Sequence, residues 1–303
     1  MRQPRFIAFL QGLALAAGMA SALVPASARA QDAQSLRARH ASLQPALAAS
    51  PFKRPLLLQA NNSTDTPHGD VYSIVDHGFK TLSGALQGAD HWCDMLLLQF
   101  NVKRCAPSGR APEETLHVAI GRKAEQPVKD AYPVDFSYRV LAAQPDYLSV
   151  QLKADEGPFG TRDYRLTLQA VPLDNGHSFV HLSYTYANGL AARLATQAYL
   201  ATAGRHKVGF TVVGRDGDGR PQYVKGMQGI AERNTMRYFL AIDAFLDTLG
   251  VPASQQAEQR LKHWFNATEL YPQQLHELPW QEYLAMKRRE MNLAQAPGSL
   301  VDL

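Results

Sequence analysis

The sequence has only two cysteines, no second long apolar run after its N-terminus, and almost no net charge once that terminus is removed. Residues 1–30 contain Arg2, Arg5 and Arg29 but no acidic residue, so their loss lowers the formal net charge from +4 to +1. A nearly neutral chain gives no electrostatic reason to expect nucleic acid as a partner. Without a further apolar run, the remaining residues are expected to form a soluble protein.

Familiar catalytic signatures are also missing. The chain has no G-x-S-x-G nucleophile elbow, no G-x-x-x-x-G-K-[ST] phosphate loop and no H-E-x-x-H zinc motif. Gly-x-Gly occurs only within Asp216–Gly219, which lacks both the context of a dinucleotide site and the ligand spacing of a calcium loop. His91 and Asp94 alone are too few for a metal site. The sequence therefore predicts no metal and no cofactor.

The first thirty residues have the three parts of a secretory signal peptide. Two arginines precede an apolar stretch from Phe6 to Val24, and the triplet Ala28-Arg29-Ala30 offers a cleavage site. The alternative is a membrane anchor, but the strictly apolar run is shorter than the ~20 residues of a span. We expect export across the inner membrane, cleavage after Ala30 and a periplasmic location.

An exported chain changes how the two cysteines are interpreted. In an oxidising compartment, Cys93 and Cys105 are expected to form a disulfide. Two free buried thiols are the alternative. A metal site is disfavoured because the spacing is not C-x-x-C and His91 is the only further ligand nearby.

Apolar periodicity divides the mature chain into three parts: an N-terminal appendage (31–69), a main domain (70–250) and a C-terminal helical extension (251–303). The appendage has helical spacing to Ser50 and a short strand at 55–59. The main domain begins with a strand at 71–75. Two short helices are predicted to follow, near 79–86 and 89–97. Period-2 alternation then predicts an antiparallel meander with strands near 116–120, 134–140, 148–152, 164–168 and 180–186. After the meander, the pattern predicts a helix at 190–202, a strand at 208–212, and helices at 227–249, 254–270 and 278–292.

This order resembles the START-like, or SRPBCC, helix-grip superfamily. The resemblance is carried by GDVYSIVDHGFKTLSGAL (69–86), by the paired runs 134–152 and 162–187, and by the long helix 227–249. The segments HWCDMLLLQFNVKRC and 183–213 also resemble uncharacterised exported proteobacterial proteins. The resemblance implies an α+β fold in which a curved antiparallel sheet grips the long helix and leaves an apolar cavity. It implies no particular activity, because helix-grip proteins have many functions.

Candidate ligand-binding residues come from the predicted sheet. Tyr184 and Tyr186 share one face of a strand, and Tyr138 and Tyr164 join them from neighbouring strands. Tyrosine suits a cavity, because its ring is apolar and its hydroxyl orients a polar group; ordinary sheet packing is the alternative. His181, on the opposite face from Tyr184, is a candidate acid–base group or a hydrogen-bonded sheet histidine.

The long helix supplies charged candidates. Arg233 and Arg237 are one turn apart and share a face, which either points into the cavity to hold a carboxylate or phosphate or is solvated. Glu232 is a second candidate acid–base group.

Three functions fit these observations. The leading hypothesis is a non-catalytic carrier for a lipid-like or other apolar small molecule, with residues 190–205 as a lid and with contact to an envelope membrane left open. The second is a hydrolase- or cyclase-type enzyme that uses His181 with Tyr184 or Glu232. The third is an envelope scaffold whose interior is filled by its own helices.

Overall fold

The computed structural model describes residues 26–202 and 204–295. The predicted signal peptide lies largely outside them, with its last residues at the start of the first helix. Within the described part of the chain, eight strands form one curved, open antiparallel sheet in the order β1-β2-β8-β7-β6-β5-β4-β3. The strands are β1 (Leu56–Ala60), β2 (His68–Val75), β3 (Val102–Arg110), β4 (Glu113–Ile120), β5 (Tyr132–Gln144), β6 (Tyr147–Glu156), β7 (Thr161–Pro172) and β8 (Ser178–Asn188).

Eight helices and a small hairpin accompany this sheet in the described residues, which gives the α+β class expected from the sequence. The helices are α1 (Ala26–Ala48), α2 (Phe79–Ala85), α3 (Ala89–Leu96), α4 (Leu190–Ala201), α5 (Gly226–Asp247), α6 (Ala253–Glu269), α7 (Pro272–Leu275) and α8 (Trp280–Gln295); the hairpin strands are β9 (Val212–Arg215) and β10 (Pro221–Tyr223).

The alternating runs become strands β4 to β8, as the sequence predicts. Strands β7 and β8 are joined at Asn175 and Gly176, whose φ values of 63° and 79° are both positive. Asparagine and glycine adopt this conformation at low cost, and such turns match the twist of a hairpin. The first strand of the main domain, β2, pairs with the last strand, β8, so the chain returns to where the sheet began.

The disulfide between Cys93 and Cys105 is confirmed and joins α3 to β3. Strand β3 was not predicted from the sequence. Its first four residues are all buried, so the alternating pattern of a half-exposed strand is missing there. Pairing with β4 and the disulfide to α3 hold this segment as a strand, although its residue pattern does not indicate one.

Helix α5 lies across the concave face of the sheet, and its buried residues include Phe239, Ile242 and Phe245. The helix packs closely on β2 because Gly69 has no side chain; a Cβ there would collide with Thr235. This arrangement, a long helix held by a curved sheet, is the predicted helix-grip architecture.

Helix α1 covers the opposite, convex face. It contributes Ala33, Leu36 and Leu47 to a separate apolar cluster with Tyr72 and Phe179 of the sheet. Strand β1, which the sequence assigns to the N-terminal appendage, pairs with β2 as an edge strand of the main sheet.

The predicted strand at 208–212 is wrong. Residues 208–211 form no strand, and the small hairpin begins only at Val212, although Gly209 and Thr211 each make one backbone hydrogen bond with Val224. The segment is also held by α5, because the Glu232 carboxylate accepts hydrogen bonds from the backbone amides of Phe210 and Thr211. An anchored irregular segment can present apolar alternation without forming a strand. Among the described residues, no helix combines the length and apolarity needed to cross a membrane.

Candidate ligand cavity

A cavity of about 1400 Å³ lies between the concave face of the sheet, helix α5 and helix α4. One stripe of α5, formed by Ile230, Arg233, Asn234, Arg237 and Tyr238, faces it. These positions are three or four residues apart, the spacing that places side chains on one side of a helix. The cavity is therefore built where the helix-grip resemblance implies one.

Aromatic rings form the wall on the sheet side. Tyr164 and Tyr186 stack with their ring centroids 5.3 Å apart, and Tyr184 lies 4.9 Å from Tyr238 of α5. Phe136 contacts the edge of Tyr164 at 6.1 Å. The alternation along β8 turns Tyr184 and Tyr186 to the same side. Three of the four tyrosines predicted as ligand-binding thus meet in one cluster.

The tyrosine hydroxyls remain protonated near neutral pH. Burial raises the pKa of Tyr164, Tyr184 and Tyr186, and it raises that of Tyr238 to about 12. Neutral hydroxyls donate and accept hydrogen bonds but are poor bases or nucleophiles. The wall is suited to contact an apolar body and to orient a polar group on it.

Four cations and one carboxylate converge at one side of the cavity. Glu277, between α7 and α8, accepts from Arg237 Nη2 at 2.5 Å and from Lys123 Nζ at 2.6 Å through the same oxygen. Its other oxygen accepts from Lys207 Nζ at 3.2 Å. Arg233 is the fourth cation and lines the same cavity. We call these five residues the Glu277 cluster.

The two arginines are buried, with 3% of Arg233 and 4% of Arg237 exposed. Arg233 donates through Nη1 to the carbonyl oxygen of Val208 at 3.0 Å. No carboxylate of the described residues lies within ion-pair distance of it, and Arg237 Nε has no hydrogen-bond partner among them. The solvated-face alternative for these two residues is thus wrong, because the face they share points into the protein.

The charges of this cluster perturb one another. Burial opposes ionisation of Glu277, yet Arg237 and Lys123 overcome it and hold the pKa of its carboxyl at about 2. Burial and the neighbouring Arg237 lower the pKa of Arg233, and the same two causes lower that of Lys123. Positive charge is therefore in excess here, and a single carboxylate does not balance it.

The cavity opens to solvent beside the β4–β5 connection and the turn before β7. Tyr132 and Phe159 line it although they are exposed, Phe159 by 75%. Helix α4 forms the adjacent roof through Ala192, Thr196 and Tyr199. The sequence suggested residues 190–205 as a lid, and α4, which makes up most of that segment, lies over the cavity.

Three candidate residues do not line the cavity, and two of them, Tyr138 and Glu232, are buried on other sides of its wall. The sequence grouped Tyr138 with the ligand-binding tyrosines, but this residue is buried behind the cavity wall and donates to the Leu86 carbonyl at 3.2 Å. Glu232 is fully buried and does not line the cavity. Its oxygens accept from the Thr211 amide at 3.0 Å and the Thr211 hydroxyl at 2.6 Å, so it anchors the chain after α4.

His181 lies on the convex face, beneath α1. Its Nε2 is 2.8 Å from Asp70, its Nδ1 is 3.1 Å from Gln169, and its ring stacks on Tyr72 at 4.3 Å. Because β8 turns alternate side chains to opposite faces, the sheet separates His181 from Tyr184. The proposed pairing of His181 with Tyr184 or Glu232 as a catalytic set is therefore not assembled.

Sequence reasoning missed Lys123, Lys207 and Glu277. They stand in three connections far apart in the chain, where no periodic pattern marks a residue as buried. Their only signal was charge in a loop, which is common on surfaces. Among the residues described here, no cluster of three or more His, Cys, Asp or Glu side chains could hold a metal ion.

Fold and site together define a helix-grip α+β protein with a ligand-sized cavity. No protein-family model and no curated protein sequence matches the chain. Solved structures similar to it include human StAR-related lipid transfer protein 5, with 8% identity, coverage of 73% of this chain and 98% of that one, and a TM-score of 0.34.

Two other similar structures belong to different proteins. Norcoclaurine synthase from Thalictrum flavum has 14% identity over 47% of this chain and 89% of its own, with a TM-score of 0.33. A conserved protein of unknown function from Enterococcus faecalis has 7% identity over 69% and 88%, with a TM-score of 0.34.

Proposed function

We propose that this protein binds an apolar, lipid-like small molecule in the cavity between the sheet and α5, as a carrier rather than as an enzyme. The observation that carries this proposal is the cavity of about 1400 Å³, which exceeds the ~300–1,000 Å³ of ordinary small-molecule sites. Tyr164 and Tyr186 offer stacked rings to an apolar body, and the tilted ring of Tyr184 packs beside them. We also propose that the chain belongs to the START-like superfamily, with residues 70–250 as its core domain.

The two competing hypotheses have less support. The catalytic set built on His181 is divided by the sheet, and the remaining wall tyrosines are neutral hydroxyls. A scaffold whose interior is filled by its own helices would not contain a cavity of about 1400 Å³ beside α4. A carrier needs only a cavity, polar anchors and an entrance, and these features are present together.

The test is to fill the cavity. Ile230 lines it from α5, so Ile230→Trp should occupy the space where a ligand would lie. Gln197→Trp, on the exposed side of α4, adds the same side chain outside the cavity. Native mass spectrometry should find lipid-sized molecules with the wild type and with Gln197→Trp but not with Ile230→Trp. Equal occupancy in all three would refute binding in this cavity.

Location is proposed with the function. We propose that residues 1–30 are removed on export and that the mature carrier acts in the periplasm. Expression of the full chain, fractionation and N-terminal sequencing of the purified protein test this directly. The expected first residue is Gln31 in the periplasmic fraction; retention of Met1 in the cytoplasm would refute export.

A further inference from the structure

The charge of the cavity wall differs from that of the whole chain. The protein has 31 basic and 27 acidic side chains, a nearly even balance. Of the described residues that line the cavity, six are basic and only two, Asp130 and Glu277, are acidic; the basic ones are Arg122, Lys123, Lys129, Lys207, Arg233 and Arg237. A wall of apolar rings with this imbalance favours a ligand that brings negative charge.

The excess of positive charge is most marked at the most buried residues of the cavity wall. Arg233 and Arg237 are more than nine-tenths buried and line the cavity from adjacent turns of α5. Arg237 shares Glu277 with Lys123 and Lys207 and still leaves Nε without a partner among the described residues. Arg233 has a carbonyl oxygen as its hydrogen-bond acceptor. Buried charges are normally paired, because an uncompensated one is costly to remove from water.

An oxyacid group satisfies both arginines. A guanidinium presents N–H donors in a planar fork that matches the oxygens of a carboxylate or a phosphate. The Tyr184 and Tyr238 rings lie against each other and line the same cavity as these arginines. A molecule with an apolar body on the tyrosine wall can therefore place its end group at the guanidinium groups.

We propose that the cavity ligand is an amphipathic acid, whose single carboxylate or phosphate end is bound by Arg233 and Arg237 and whose apolar body lies on the tyrosine wall. This inference rests on the proposed function, because it names the chemical class of the molecule that the cavity holds. Glu277 keeps Arg237 and the two lysines together when no ligand is bound. It leaves Arg233 for the incoming anion.

Three probes of equal chain length test the class of ligand: decanoate, decyl phosphate and decanol, measured with the delipidated protein by isothermal titration calorimetry. The wild type should bind one or both acids about 10- to 100-fold more tightly than decanol, as expected for charged hydrogen bonds. The stronger of the two acids identifies the end group. Equal binding of all three probes would overturn the inference but leave the apolar cavity function intact. If no probe binds, the proposed function fails as well.

Variants locate the anion. Arg233→Met and Arg237→Met keep an apolar stem of similar length, and each should remove most of the preference for the acids while changing decanol binding little. Arg260→Met is the control, because Arg260 is also buried but pairs with Asp94 outside the cavity. Loss of preference in Arg260→Met, or its survival in both cavity variants, would contradict the assignment. The wild-type comparison of acid with alcohol decides the question even if a variant does not fold.

Discussion

Two carboxylates, Glu277 and Glu290, each lie among several cations, yet the two clusters differ in how completely their charges are paired. Around Glu290, Lys103 Nζ donates to one carboxylate oxygen at 2.9 Å and Lys287 Nζ donates to the other at 2.6 Å. The lysines also donate to backbone carbonyls, which include those of Phe100 and Val102. Both ammonium groups are fully buried, and each has at least two acceptors.

The Glu277 cluster is open by contrast. It contains more cations than Glu277 can pair, it lines a cavity, and its lysines are partly exposed. The same residue types can therefore have different roles, depending on whether each charged group in the cluster has a partner. The Glu290 cluster fixes α8 to β3, and every buried nitrogen and oxygen atom of its three side chains has a hydrogen-bond partner. The Glu277 cluster keeps unmet donors beside an empty volume, which is what a binding site requires.

The largest expected effect on stability comes from removing the negative charge of the Glu290 cluster, whose two lysines both pair with Glu290. Glu290→Gln leaves two buried ammonium groups without a counter-charge, so the free energy of unfolding should fall by about 3–5 kcal/mol. Urea unfolding followed by circular dichroism measures this loss. Glu282→Gln, on the exposed side of the same helix, is the matched control and should change stability by less than about 0.5 kcal/mol. A loss below about 1 kcal/mol for Glu290→Gln would show that the buried ion pairs do not stabilise the packing of α8 on β3.

An intermediate effect is expected at the open cluster. Glu277→Gln should lower the free energy of unfolding by only about 2 kcal/mol, because the side chains of Lys123 and Lys207 reach solvent. Affinity for decanoate should rise about tenfold, because a negative charge that repels the ligand is removed. Calorimetry with decanoate and decanol on both proteins checks this. Weaker decanoate binding with unchanged decanol binding would mean that Glu277 helps to hold the anion rather than competing with it.

The sequence predicted the fold better than the site. Period-2 alternation located β4 to β8, and the Asn175-Gly176 turn located a hairpin, because these signals depend on neighbours in the chain. Strand β3 was missed because its buried start does not alternate. Tyr184 and Tyr186 were found because a half-buried strand displays its faces in its own pattern.

The charged part of the site depends on contacts that a single sequence does not display. Arg233 and Arg237 were recognised as sharing a face, but the direction of that face is decided by how α5 packs on β2. Lys123, Lys207 and Glu277 meet only after the loops close over the cavity. His181 was a reasonable acid–base candidate by type, and alternation along β8 already placed it opposite Tyr184, but only the packing of the helices shows which of the two faces borders the cavity.

The smallest expected effect is on the pH dependence of stability, where Glu277 and Lys287 should act with the same sign but in different pH ranges. The pKa of Glu277 is about 2 in the folded protein against an ordinary 4.5, so between these values the unfolded chain binds more protons. Stability from this group is complete above about pH 4.5 and is lost as the pH falls toward 2. The gap of ~2 kcal/mol between wild type and Glu277→Gln should therefore shrink to under about 1 kcal/mol near pH 3.

Lys287 should act on the alkaline side. Burial lowers its pKa to about 8 from an ordinary 10.5, although Glu290 opposes the shift. The unfolded chain again binds more protons between these two values, so the contribution of Lys287 to stability rises with pH across this range. Urea unfolding of wild type and Glu277→Gln at a series of pH values tests both statements. The alkaline rise should persist in Glu277→Gln, because Lys287 and Glu290 are untouched, whereas the acid loss should be reduced. If one substitution abolished both changes, the two clusters would be coupled, and the distinction between a closed structural cluster and an open binding cluster would fail.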